Sequence, residues 1–194
     1  TNLATSWLIF VNLVAYYSMT KIFTYLFFFC SLISFSQNEL LAQNYFDKGE
    51  FDKATSVYEE LDKKQPGNFY FTQKLVSCYQ GLKQFDKAEK LLLSKKEKSN
   101  QPNFFVELGY NAQLQKNQTK ADSYYKKAID AVEFQPNYAY QIGQAFEQKS
   151  LLQQAYNTYG IGQKANSSMN FDYQMALLQG QMGNLDVMVV KLLD

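Results

Sequence analysis

Three acidic residues around Gly49 come nearest, in type and spacing, to a cation site. Asp47, Glu50 and Asp52 place three carboxylates within six residues. A calcium loop of the EF-hand type needs alternating oxygen ligands over about twelve residues and a closing glutamate, which this stretch does not provide. We therefore interpret these carboxylates as solvated charges of a turn, and we predict no metal site.

Two further charged groups have residue types that could act on a substrate or a nucleic acid. Glu59, Glu60 and Asp62 are close enough in sequence to pair as acid and base, but they lie among lysines on the polar face of a predicted helix. The run Lys-Lys-Glu-Lys at 95–98 is too short and too mixed for a nucleic-acid-binding arm, and cations suit the end of a helix. We therefore expect both groups at the solvated surface.

The composition lacks the side chains on which most catalytic and phosphate-binding sites depend. There is no His and no Arg, and 19 basic and 18 acidic residues leave a net charge of +1. The chain thus has no usual general base near neutral pH, no usual zinc ligand and no bidentate fork for phosphate. Cys30 and Cys78 lie outside any CxxC motif, and Cys78 is expected to be a buried structural residue. We predict no enzyme, no cofactor and no nucleic-acid partner.

The first 38 residues differ in composition from the rest of the chain. Lys21 is their only charged residue, and it precedes an apolar run over 22–29. A positive start, a short apolar core and small residues before Gln37 are typical of a secretory signal peptide. We interpret 19–36 as a signal peptide and 1–18 as an upstream or non-native extension.

A retained membrane anchor is the alternative interpretation of this segment. The apolar stretches 3–17 and 22–35 would then act together, although Asn12, Thr20 and Lys21 interrupt any clean run of about 20 apolar residues. Under either interpretation we expect an exported protein, in a bacterial periplasm or at the cell surface. Contact with a membrane is expected only through the N-terminal segment, if it is not cleaved.

Beyond residue 37 the sequence alternates helical patterns with very short breaks, and strand-like alternation is nearly absent. In the stretch 51–64, for example, Ala54, Tyr58 and Leu61 recur at three- and four-residue steps and form one apolar stripe. The predicted helix pairs cover 38–48 and 51–64, 69–81 and 85–96, 102–116 and 118–132, and 136–149 and 151–164, with a fifth pair from near 169. The sequence therefore predicts an all-helical protein.

Small and large residues recur along these pairs at one period. Four alanines are spaced 34, 33 and 34 residues apart: Ala54, Ala88, Ala121 and Ala155. A large residue follows each by four positions (Tyr58, Leu92, Tyr125 and Tyr159), and a mostly small one precedes each by twelve (Ala42, Val76, Gly109 and Gly143). Leucine or isoleucine lies directly before the small residue, and Tyr45, Tyr79 and Phe146 lie three residues after it. Together with Gly49 and Pro66, this pattern resembles the tetratricopeptide repeat (TPR) family.

The resemblance covers about residues 35–194 and departs from the family pattern at Val76, Lys95 and Ala112. It implies a right-handed α-solenoid of about five TPR helix hairpins, preceded by the N-terminal signal or anchor segment. The implied repeats lie near 35–68, 69–101, 102–135, 136–168 and 169–194, and the last of them is incomplete.

The resemblance also implies a binding surface. In the family, the first helix of each pair lines a concave face, where chaperone-binding members clamp a carboxylate with lysines, an arginine and asparagines. The corresponding residues here are Glu39, Gln43, Tyr70, Gln73, Ser77, Asn103, Tyr110, Gln113, Asn137, Tyr140, Gln144, Asn170 and Tyr173. Because this set lacks the cationic clamp, it suits an uncharged peptide stretch or a glycan.

The function that the resemblance implies is a non-catalytic TPR scaffold that binds protein or peptide partners through its concave face. One alternative is a glycan-binding module of the outer membrane or cell surface. Another is the regulatory array of an enzyme whose catalytic domain lies beyond residue 194. The second alternative arises because 185–192 is apolar, whereas the last helix of a solenoid normally has a polar outer face.

Overall fold

A computed structural model describes residue 21 and residues 37–99 and 101–193 of the 194-residue chain, and every regular element in these residues is a helix. The described part of α1 covers residues 37–47, and the later helices are α2 (Phe51–Lys64), α3 (Phe69–Gly81), α4 (Phe85–Lys98), α5 (Asn103–Leu114), α6 (Gln118–Phe134), α7 (Ala139–Gln148), α8 (Leu152–Ala165), α9 (Asp172–Gln181) and α10 (Leu185–Leu193). A short 3₁₀ helix, Pro136–Tyr138, leads into α7. The predicted all-α class is confirmed. The extension 1–18, Cys30 and, apart from Lys21, the predicted signal peptide lie outside the described residues.

The helices pair into hairpins within two compact units, 1–67 and 68–194. The first unit contains the hairpin of α1 and α2, and the second contains the hairpins α3/α4, α5/α6, α7/α8 and α9/α10. Within the second unit the first helices also stack on one another, since α5 contacts both α3 and α7. Five TPR-like hairpins are therefore present in the described residues, as the repeat period predicts.

Each hairpin turns through a single residue with left-handed backbone conformation. These residues are Gly49, Lys83, Lys116, Ser150 and Gly183, with φ between 56° and 89°. In every case this residue and the next donate backbone N–H bonds of 2.8–3.0 Å to carbonyls of the last helical turn, which is the Schellman pattern. The repeat therefore imposes a positive φ even where the chain does not supply glycine.

We expect Lys116→Gly to stabilise the protein by about 0.5–1 kcal/mol. Lys116 has a φ of 61°, which costs a residue with a Cβ about 1–2 kcal/mol, and the extra entropy of glycine in the unfolded chain offsets only part of this gain. Urea unfolding measures the effect, with Gly49→Ala as the reverse change, which should destabilise the protein. Equal midpoints for Lys116→Gly and the wild type would contradict this explanation of the turn.

The two helices of a hairpin approach closely where a small residue faces a large one. An ideal Cβ added to Gly109 would lie 2.3 Å from Cε1 of Tyr125, and one added to Gly143 would lie 2.4 Å from Cε1 of Tyr159. At the same positions the first hairpin has Ala42 and Tyr58 and the second has Val76 and Leu92, all of them fully buried. The departure at Val76 is thus matched by a smaller residue on the facing helix.

The acidic residues around Gly49 make local surface contacts. Asp47 accepts a hydrogen bond from Nε2 of Gln43, and Glu50 pairs with Lys53 at 2.7 Å. Asp62 differs from the expectation of a solvated face, because it is only 9% exposed. It follows Tyr58 by four residues and so shares the buried side of α2.

Cys78 is fully buried in α3, as expected for a structural cysteine. Helices within the described residues fall short of the length and hydropathy needed to cross a membrane.

Candidate functional site

The first helices of the second unit carry most of the predicted binding residues, and we call the surfaces of α3, α5, α7 and α9 together the first-helix face. Tyr70, Gln73 and Ser77 lie on α3, Asn103, Tyr110 and Gln113 on α5, Tyr140 and Gln144 on α7, and Tyr173 on α9. Asn137 lies in the 3₁₀ helix and Asn170 just before α9. Glu39 and Gln43 lie on α1, in the other unit.

A cavity of about 190 Å³ opens on the first-helix face between α3, α5 and α7. It is lined by Phe69, Tyr70, Gln73, Asn103, Gln141, Gln144, Ala145 and Gln148. Four of these, Tyr70, Gln73, Asn103 and Gln144, belong to the set predicted from the sequence. The lining contains amide and aromatic side chains and no charged one.

Asn103 is the most unusual residue of this cavity. Only 3% of its surface is exposed, and its Oδ1 atom is buried without a hydrogen-bond partner among the described residues. An unsatisfied buried acceptor of this kind costs about 1–3 kcal/mol. Asn103 lines the cavity, and its acceptor oxygen lies beneath the accessible cavity surface, where the described residues leave it without a partner.

A buried ion pair contacts Gln73, one of the residues that line the cavity. Glu107 on α5 is fully buried, and its Oε2 lies 2.9 Å from Nζ of Lys149, whose side chain is 9% exposed. Oε1 of Glu107 accepts a hydrogen bond of 2.8 Å from Gln73, which also donates to Gln148 at 2.9 Å. The network joins α3, α5 and the end of α7, and it fixes the orientation of the Gln73 amide at the cavity.

Sequence reasoning missed Glu107, Lys149 and Gln148. The available signal was an acidic residue in the apolar run 104–109, where a buried partner has to exist. Its partner lies 42 residues away, at the end of the first helix of the next repeat, and no local spacing indicates that distance.

Tyrosine exposure separates the first helices from the second. The exposed tyrosines among the described residues are Tyr70 (39%), Tyr140 (50%) and Tyr173 (62%), and all three lie on first helices. Tyr140 is also oriented locally, since its hydroxyl accepts a 2.8 Å hydrogen bond from Nε2 of Gln144. Tyr110 is partly buried beneath the ammonium group of Lys149, which lies 5.0 Å from its ring centroid.

Several predicted site residues make structural contacts within the chain. The Tyr125 hydroxyl donates to Gln113 at 2.8 Å, and the Tyr159 hydroxyl donates to Glu147. Burial raises the pKa of both tyrosines well above the usual value, so both hydroxyls remain neutral donors. Gln43 likewise accepts from Tyr58 at 3.2 Å.

Two other predicted residues bond the backbone. Asn170 accepts from the N–H of Asp172 at 2.9 Å, and Ser77 donates to the carbonyl of Gln73 at 3.0 Å. Both side chains therefore bond the backbone near their own position rather than filling the cavity, and a serine bonded to the carbonyl four residues before it slightly weakens a helix.

A larger cavity, of about 410 Å³, lies apart from the predicted residues. It is lined by Lys96, Ser99, Gln101, Pro102, Phe105, Ala131, Phe134, Gln135 and Tyr138. Phe134, at the end of α6, is 86% exposed, and Lys96 lies over the Phe105 ring at 4.8 Å. This cavity gives the natural control position for experiments on the first-helix face.

The chemistry available at the first-helix cavity is neutral hydrogen bonding combined with aromatic contact. Within the described residues, no group of three His, Cys, Asp or Glu side chains is arranged to hold a metal ion. A cavity lined in this way can recognise a ligand through hydrogen bonds and aromatic contact.

The chain is similar to known proteins that are built from the same kind of repeat. The sequence model described as tetratricopeptide repeat matches residues 45–103. No curated protein matches the chain. Similar solved structures include TTC0263, a thermophilic TPR protein in Thermus thermophilus, with 16% identity, 81% of this chain and 87% of that chain covered, and a TM-score of 0.46.

Two further structures are similar at the same level. They are MamA 41-end from Desulfovibrio magneticus RS-1 (10% identity, 81% and 90% covered, TM-score 0.43) and YrrB, described as a TPR protein with an unusual peptide-binding site (13% identity, 78% and 79% covered, TM-score 0.38).

Proposed function

We propose that the chain is a non-catalytic scaffold of the tetratricopeptide repeat kind, which binds protein or peptide partners on its first-helix face. The repeat model that matches residues 45–103 and the five hairpins of the described residues support this proposal. The observation that carries this proposal is the placement of the exposed tyrosines. Tyr70, Tyr140 and Tyr173 are exposed on first helices, where an apolar ring facing water gains most from being covered by a partner. Tyrosine is also enriched among the residues that dominate binding energy.

The partner segment is expected to be uncharged where it meets the cavity. The lining of about 190 Å³ has no charged side chain, and the nearby Glu107 is already neutralised by Lys149. An acidic tail would have to lose its hydration without meeting a cation there, which is costly. The proposal therefore excludes the carboxylate clamp of chaperone-binding relatives.

Truncation of the tyrosines on the first-helix face tests the proposal. Tyr140→Ala combined with Tyr173→Ala should reduce capture of protein partners by at least about 30-fold, since a hot-spot residue contributes about 2 kcal/mol or more. The measurement is quantitative pull-down with the full chain from extracts of the source cell. Phe134→Ala is the matched control, because it removes an exposed aromatic ring outside this face.

The two variants distinguish the two cavities. Undiminished capture by the tyrosine variant would reject the first-helix face. Loss of capture only in Phe134→Ala would move the site to the larger cavity. Binding of the wild type to a glycan array, lost in the tyrosine variant, would favour the glycan-binding alternative, which the same amide and tyrosine side chains could serve.

We further propose that the protein is exported. Support comes from the composition of residues 19–36, which follow the order of positive start, apolar core and small residues. N-terminal sequencing of the mature protein should find Gln37 as the first residue, in a periplasmic or surface fraction. An intact N-terminal segment in the membrane fraction would instead support the anchor.

A further inference from the structure

The first-helix cavity has the size of one side chain. Its volume is about 190 Å³. Pockets for whole small molecules usually hold about 300–1,000 Å³. A ligand of this cavity is thus a single projecting group, of the kind that an extended peptide presents.

The hydrogen-bonding groups of the cavity favour a neutral guest group that can donate a hydrogen bond. Oδ1 of Asn103 is an unused, buried acceptor. Nε2 of Gln73 already donates to both Glu107 and Gln148, so Gln73 presents its acceptor oxygen, whereas Nε2 of Gln144 donates once, to Tyr140, and keeps a second proton. A guest group therefore meets both amide acceptors and amide donors, the latter from Gln144 and Gln148.

The three common polar guests differ in how they satisfy this arrangement. A carboxylate has no proton to donate to Asn103, and an ammonium group would lose its water without meeting an opposite charge. A primary amide donates through its NH₂ group and accepts through its carbonyl oxygen, for example from the amide of Gln148. Its flat faces also pack against Phe69 and Tyr70, which line the same cavity.

We propose that this cavity is a subsite for the side-chain amide of a Gln or Asn residue in a peptide bound on the first-helix face. The proposal rests on the proposed function, which supplies the peptide, and it adds the residue type that the peptide must carry. Asn103 is the positioning acceptor at its wall, and the Glu107–Lys149 pair holds Gln73 in place.

The test is an NMR titration of the full chain with defined peptides. The probes are acetyl-Gly-Gly-Gln-Gly-Gly-N-methylamide, whose only primary amide is the Gln side chain, its Gln-to-Glu analogue of the same shape, and cellotetraose. The Gln peptide should shift the signals of Tyr70 and Gln144 in a saturable way, and the Glu peptide should bind at least about tenfold more weakly, as for a site that rejects an analogue lacking the donor.

Asn103→Leu provides a readout that a purely structural residue would not give. It should raise the melting temperature by about 2–4 °C, because it removes the unsatisfied acceptor, and still weaken the Gln peptide by at least about tenfold. Asn111→Leu on the same helix is the matched control. Asn111 donates to the carbonyl of Phe85 and accepts from Gln80, so its loss should lower the melting temperature.

Each result of these binding measurements either supports or overturns the proposed subsite. Equal binding of the Gln and Glu peptides, or an unchanged affinity in Asn103→Leu, would overturn the subsite, as would saturable binding of cellotetraose alone. Gln144→Ala, at an exposed position, repeats the binding test without disturbing the core. If the tyrosine variant loses partner capture while the Gln peptide does not bind, the proposed function stands and only the subsite fails.

Discussion

Gly143→Val is expected to destabilise the protein by about 3 kcal/mol or more, through overpacking of the α7/α8 hairpin. An added Cβ would lie 2.4 Å from both Cε1 and Cζ of Tyr159. Tyr159 cannot move aside easily, since it is fully buried, bonded to Glu147 and packed against Phe171 with ring centroids 5.0 Å apart. Urea unfolding of the single variant measures the cost.

The substitution Tyr159→Leu should compensate for part of the stability lost in Gly143→Val. Tyr159→Leu alone leaves a cavity and costs about 2–4 kcal/mol, but the double variant reproduces the fully buried Val76 and Leu92 of the second hairpin. We therefore expect the two changes together to cost at least about 2 kcal/mol less than the sum of the single changes. Additive effects would mean that the small and large residues do not compensate for one another.

Gly160→Ala is the matched control for the glycine substitution. Gly160 lies in α8, and an added Cβ would meet only Cε of Met175, at 3.6 Å. Without a clash, the change from glycine to alanine inside a helix should stabilise the protein by up to about 1 kcal/mol. A loss of stability at Gly160 similar to that at Gly143 would show that the hairpin resists any substitution, rather than this particular contact.

The repeat pattern predicts the fold well because its signals are local. Helix ends, the hairpin turn and the apolar stripe each depend on residues within about one turn or one repeat of each other. The α3 helix, for instance, covers Phe69–Gly81 as the sequence predicts. Even the departure at Val76 is understandable from the sequence once Leu92 is placed opposite it.

The candidate site is predictable only in part, because its properties depend on contacts between repeats. The first-helix register places Tyr70, Gln73, Asn103 and Gln144 around one cavity. The register does not reveal that Asn103 is buried, since its burial follows from how α5 stacks between α3 and α7.

Some residues predicted to bind a partner instead make side-chain hydrogen bonds within the chain. The register on α5 assigns Gln113 to the groove, yet its Oε1 accepts from the Tyr125 hydroxyl of the facing helix. Such a bond depends on rotamers and interhelical distance, which a single sequence does not specify. The role of Gln113 in binding a partner stays a prediction.

The second large effect is expected at the buried ion pair. Lys149→Met should destabilise the protein by about 3–5 kcal/mol, because it leaves Glu107 buried and charged with only the Gln73 amide as a partner. The methionine keeps most of the apolar stem of Lys149, so the loss of charge dominates. Lys126→Met is the control at an exposed pair with Asp130, where about 0–1 kcal/mol is expected.

The double variant Glu107→Leu with Lys149→Met separates stability from function at this network. Replacing a buried ion pair by apolar residues is often neutral or stabilising, so this variant should unfold near the wild-type midpoint. It also frees the Gln73 amide, which no longer has Glu107 to hold it at the cavity. We therefore expect a stable protein with weakened capture of partners. Unchanged capture would show that the ion pair serves the fold alone.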